Sequence, residues 1–185
     1  MPHPSSSPTD GQEDDGDNLR LVWPQWQGGG TTSVETFASE FPLDVARRGY
    51  AVGSIVLEAV LPPHDGPTAA VPVTMSDIDL EKRDGVEAKA VILRQLVAAL
   101  ELIGQHDSAR ITTLGRECSV SVAPFSKLAR RYGDDLAILW IDSHPDVGTQ
   151  ESDYAGYHDV HGTVDVSDDA THLRTRKSVR FRTKT

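Results

Sequence analysis

The stretch LAILWIDSHPD, residues 136–146, decides how the rest of the chain is read. Leu136 to Ile141 form an apolar run of the length of one buried strand. Asp142, His144 and Asp146 then follow at alternate positions. Alternate side chains of an extended strand share a face, so two carboxylates and an imidazole leave on the same side. Oxygen and nitrogen donors placed together in this way have metal-ligand spacing. A polar strand end capped by a loop is the competing reading of the same residues.

Working upstream, Val120 to Tyr132 predicts a helix. Ala109 to Leu114 predicts a short strand that ends in Gly115-Arg116-Glu117-Cys118-Ser119. Val86 to Ile103 carries the clearest helical periodicity, with Val86, Ala90, Leu93, Leu96, Val97, Leu100 and Ile103 at three- and four-residue spacing. Gly85 and Gly104 bracket it. Val71 to Leu80 is ambiguous between strand and turn. Its alternating Asp77 and Asp79 fit a solvated edge or helix cap better than a metal pair. Tyr50 to Leu61 reads as a strand, followed by a loop carrying His64. Val34 to Arg48 reads as a helix interrupted near Pro42. The first strand, Leu19 to Trp26, is limited by Pro24. Gly28, Gly29 and Gly30 follow it without the Gly-Lys-Ser/Thr of a phosphate loop, so they read as a flexible turn.

Strands alternating with helices predict an α/β fold, a three-layer αβα arrangement around a mainly parallel sheet. Ligands of such sheets bind at the carboxyl ends of the strands. Cys118 and the Asp142, His144, Asp146 set both sit at such ends, one helix apart, and are expected to be neighbours.

Composition bounds the remaining classes. The chain has 185 residues and a formal net charge of −10, which argues against a broad nucleic-acid footprint. A single cysteine, Cys118, excludes an internal disulfide framework. No run is apolar enough to span a membrane, no secretory pattern opens the chain, and a cytoplasmic protein is expected. Residues 1–18 are polar, acidic and Pro/Ser/Gly-rich, and are expected to be disordered. Residues 19–160 hold the α/β domain. Residues 161–185 lack apolar periodicity and carry no acid after Asp169, only basic Arg174, Arg176, Lys177, Arg180, Arg182 and Lys184. A tail from a shifted reading frame is favoured over a basic arm for nucleic acid, and a disordered tail on an incomplete sheet is expected.

Taken together, the motifs resemble the arginase/agmatinase/formiminoglutamase family, the ureohydrolases. The resemblance covers roughly Leu19 to His158. The family's Asp-Ala-His-x-Asp motif is matched closely by Asp142-Ser143-His144-Pro145-Asp146. Its Gly-Gly-Asp-His-Ser-like motif is matched by Gly115 to Ser119 with two departures: Arg116 replaces a glycine and Cys118 the histidine ligand. Trp23-Pro24 and Gly28 to Gly30 also look like the start of some members. The resemblance implies that Asp142 bridges two Mn2+ ions, that His144 binds one and Asp146 the other, and that Cys118 occupies the remaining histidine position. It places His158 near a proton-relay histidine. The family's downstream Asp-x-Asp ligands have no counterpart in this sequence.

The implied chemistry is metal-assisted hydrolysis of a C–N bond in a small guanidino or amidino substrate, with release of urea or a related amide. A thiolate at Cys118 would tilt the site toward zinc or iron, whereas an uncoordinated buried thiol would weaken it; both readings stand. Cys118 as a catalytic nucleophile is disfavoured, since its sole candidate partner is the metal-like His144. Two alternatives remain. One is a non-catalytic fragment that binds a single metal or associates with itself. The other, ranked last, is a metallophosphoesterase, whose motif would come earlier in the chain. Impaired activity and homo-oligomer formation through uncovered apolar faces are expected.

Overall fold

The computed structural model describes residues 17–27, 34–36, 38–81, 83, 88–139, 141, 164–166 and 173–175. The core is a three-stranded, wholly parallel sheet in the order β2-β1-β3, with β1 Asn18–Val22, β2 Thr68–Ala70 and β3 Arg110–Leu114. Helix α1 (Leu43–Val60) connects β1 to β2, α2 (Lys89–His106) connects β2 to β3, and α3 (Val122–Tyr132) follows β3. The α/β class expected from the alternation is the one observed.

Crossovers between parallel strands are right-handed. The step from β1 to β2 and the step from β2 back across to β3 run in opposite directions. That places α1 on one face and α2 on the other. The packing agrees: α2 and α3 lie together against one side of β1. Leu19, Leu21 and Trp23 alternate inward there to meet Leu96, Ala99, Ile103, Val120 and Ala123. The strand's two-residue period thus meets the helix's three- and four-residue period in one apolar layer.

Two expectations are corrected. Tyr50 to Leu61 is not a strand but the second half of α1. Its β-branched residues resemble a strand locally. However, β1 and β2 are parallel, and a parallel pair needs a crossover of a dozen or more residues. Residues 43–60 supply it, starting just after Pro42. The run at 136–141 is not a paired strand at residues 136–139 or 141. Ile138, Leu139 and Ile141 are 57%, 83% and 86% exposed. A run apolar on both faces becomes a central strand only where neighbouring strands and helices cover it, and none of the described residues does so. The paired part of the first strand is confined to its start, ending at Val22 before Pro24, and the strand is central rather than at an edge; the Trp23 N–H still donates to the Leu114 carbonyl at 2.9 Å.

Helix α2 starts at Lys89, with Val91, Ile92, Gln95, Leu96, Ala99 and Ile103 buried. Val86 and Gly28 to Gly30 lie outside the described residues. Within 161–185, β4 (Val164–Val166) and β5 (Leu173–Thr175) pair antiparallel. No helix among the described residues is long and apolar enough to cross a membrane.

Asp107 closes α2 in a left-handed conformation, φ 46°, which Asp and Asn tolerate better than most residues. Its carboxylate meets Lys127 Nζ at 3.0 Å and Arg131 Nη2 at 2.7 Å, tying the end of α2 to α3 and so fixing where β3 begins. Lys127, with Arg131 behind it, holds the Asp107 carboxyl below its ordinary pKa. A lowered pKa stabilises the fold above the unfolded value of about 3.9, and that contribution disappears as pH falls through the folded value. In Asp107→Asn, which keeps the backbone preference and removes the charge, the thermal midpoint should fall below the parent's at neutral pH. The gap should shrink on acidification and at high salt, as read by circular dichroism. A gap unchanged from neutral pH to below the carboxylate range would show that the ion pairs contribute nothing.

Candidate functional site

In a parallel sheet the ligand crevice lies where successive connections leave toward opposite faces. Here that point falls between β1 and β3, since the chain leaves β1 toward α1 and β3 toward α3. Two segments meet there: Trp23 to Gln27 after β1, and Gly115 to Ser119 after β3.

The segment after β1 is held by buried polar groups. The Trp23 indole Nε1–H donates to Gln95 Oε1 at 3.0 Å. Gln95 Nε2 donates to Gln27 Oε1 at 3.0 Å. Gln27 Nε2 and the Trp26 indole Nε1–H both donate to the Thr74 carbonyl, at 2.9 and 2.8 Å. One chain of hydrogen bonds therefore joins α2, the loop after β1 and the loop after β2. Each member is buried or accepts from a buried donor, so each bond answers a desolvated group. Arg47 of α1 lies 5.6 Å from the centre of the Trp26 ring, within cation–π range.

The segment after β3 is shaped by two close approaches. A Cβ on Gly115 would overlap the side chain of Val120, so the turn closes only with glycine there. A Cβ on Gly53 of α1 would fall 2.6 Å from Arg116 Cδ, so Arg116 lies directly along α1. Cys118 opens the short 3-10 turn Cys118–Ser121 and is half-buried. Gln25 crosses the crevice, its Nε2 donating to Ser119 Oγ at 2.7 Å.

Of the residues selected from sequence, Cys118 lies at the carboxyl end of β3, as expected. Asp142, His144, Asp146 and His158 lie outside the described residues. No group of three or more His, Cys, Asp and Glu side chains with metal-site geometry occurs among the described residues. Asp77, exposed, and Asp79, half-buried, are partners of arginines, Asp77 with Arg48 at 2.7 Å and Asp79 with Arg94 at 3.0 Å. His64 is a half-buried loop residue. Sequence reasoning missed Gln25, Gln27 and Gln95. The available signals were glutamines alternating with tryptophans after a strand, and a glutamine at 95 in line with Val91, Ala99 and Ile103.

A parallel α/β sheet with buried polar groups joining the loops at its carboxyl edge defines the class of protein. The arginase family model matches residues 52–171, well over half of the chain, and the chain belongs to the arginase family. The match spans Gly115 to Ser119 and Asp142 to Asp146, and extends past His158. The family is one of ureohydrolase-type hydrolases that use manganese and act on small guanidino substrates. No curated protein matches the chain.

Gln95→Leu leaves the Trp23 indole N–H without an acceptor in the core. An orphaned buried donor costs about 1–3 kcal/mol. The urea midpoint, followed by tryptophan fluorescence, should fall accordingly. A variant as stable as the parent would mean that water or another group takes over the acceptor's part.

Proposed function

We propose that this chain is a metal-dependent hydrolase of C–N bonds in a small guanidino or amidino substrate, with weakened metal affinity. The observation that carries this reading is the family match, which runs through both the β3 turn and the Asp142-Ser143-His144-Pro145-Asp146 motif.

The donor set fits manganese in part. Carboxylate oxygens of Asp142 and Asp146 and the imidazole of His144 suit a hard or borderline divalent ion. The sulfur of Cys118 is softer and suits zinc or iron better. A bound divalent pair supplies a lowered water pKa and positive charge against the developing tetrahedral centre. The chain's own residues would do the rest. Asp142, His144 and Asp146 would hold the ions, and Cys118 would complete or limit the set. His158 would carry a proton to the leaving amine. The glutamine chain would keep the strand ends fixed, since a displaced ligand loses both affinity and rate.

The test is urea, ammonia or formamide release from a panel of guanidino and formimino substrates, with and without added Mn2+. Activity that rises with Mn2+ is expected, and His144→Ala should lower metal affinity about 10-fold or more. Cys118→His, which restores the family's nitrogen ligand, should raise Mn2+ affinity. A protein that binds no Mn2+ and cleaves nothing in the panel would overturn the reading.

A second reading, association of the chain with itself, is favoured by α1. Val45, Val52, Ile55, Val56 and Val60 are all exposed on that helix, although Ala51 and Ser54 of its other side are buried. A helix apolar on both sides is ordinarily covered on both. Sedimentation of the parent should show species larger than a monomer, reduced in Val52→Lys and Ile55→Lys. A monodisperse parent monomer would dispose of this reading.

A further inference from the structure

We propose that Gln25 is a positioning residue for the β3 turn: through Ser119 it sets the orientation of the Cys118 thiol. The inference rests on the reading of that turn as part of the metal site, and deepens it by assigning a residue outside the family motifs.

Gln25 is 0% exposed. Its Nε2 donates to Ser119 Oγ at 2.7 Å, whereas its Oε1 is buried without a partner. A buried primary amide is a costly filler. It gives up hydration and rotamer freedom, and an unsatisfied buried carbonyl is a further penalty. Methionine has similar length and volume and would fill the same space without those costs. Packing alone therefore does not account for an amide at this position. What the glutamine adds is a donor directed across the crevice at Ser119.

Ser119 is the immediate neighbour of Cys118, and the 3-10 turn that begins at Cys118 has no side-chain cap of its own. Three contacts among those that hold the turn bear on Cys118. Val120 packs over Gly115, Arg116 lies along Gly53 of α1, and Ser119 is bonded to Gln25. Cys118 sits between the second and third. With the third released, the backbone from Glu117 to Ser121 loses a side-chain tie to the loop after β1, and the half-buried thiol gains freedom to turn.

The experiment uses the full chain. The rate of Cys118 alkylation by iodoacetamide at one fixed pH is followed by intact mass, with a melting curve for every variant. Gln25→Met and Ser119→Ala should each raise the alkylation rate about fivefold or more without a matching loss of thermal midpoint. Ser119→Thr, which keeps the hydroxyl, should retain the parental rate. The double variant Gln25→Met/Ser119→Ala should react no faster than the faster single, since both remove one bond. Unchanged rates in folded variants, or effects that multiply in the double, would overturn the proposal. If Gln25→Met fails to fold, the comparison of Ser119→Ala with Ser119→Thr decides. Alkylation of the parent with and without Zn2+ separates the two readings. Absence of protection would remove Cys118 from the metal site, while the rates above would still decide the role of Gln25.

Discussion

The arrangement depends on one buried chain of hydrogen bonds, Trp23 to Gln95 to Gln27 to the Thr74 carbonyl. Strand β1 ends where Pro24 removes a ladder donor, and the following residues leave the sheet while still inside the protein. Polar groups buried there have no ladder to satisfy them. The glutamines supply the missing partners, and they draw these partners from α2 and from the loop after β2. The loop after β1 is thereby fixed to both of its neighbours. Such a network is stable only when nearly all its members are satisfied, so it also rigidifies the edge on which a site can be built.

The strand order has a second effect. Because β1 lies between β2 and β3, the connections that follow β1 and β3 leave on opposite sides. The strand order alone makes that point the place where a ligand crevice is expected, without any residue being chosen for it. Chemistry enters with the side chains that line it, and here these are an amide, a hydroxyl and a thiol: Gln25, Ser119 and Cys118. The family's nitrogen ligand is absent from this wall, so in the proposed site the oxygen and nitrogen donors would have to come from Asp142, His144 and Asp146.

Elements whose local pattern agreed with their tertiary setting were legible in the sequence. β3 and α3 fall within a residue or two of their expected positions, whereas β2 falls between the expected loop and the ambiguous stretch at 71–80. The residues of α1 were misread because Val52, Ile55, Val56 and Val60 carry strand preference, and a crossover requirement outweighs it. The run at 136–141 was misread because apolar composition describes what a strand needs around it, not whether those neighbours are present. Cys118 was selected by motif position, and it lies in the turn after β3. The glutamines were not, because a buried amide is identified by its partners, and Gln25 and Ser119 are far apart in the chain.

Gly53 and Arg116 meet where α1 passes the β3 turn, and each owes its tolerance to the other. The space left by the absent Cβ on the helix is occupied by Cδ and the guanidinium end of the arginine. A lineage that returned a small residue to 116 would free position 53 to take a side chain. One that enlarged 53 first would drive the end of the Arg116 side chain off the helix. Among relatives, the two positions should therefore vary as a pair, and the unusual arginine in this motif is as much a fact about helix α1 as about the site.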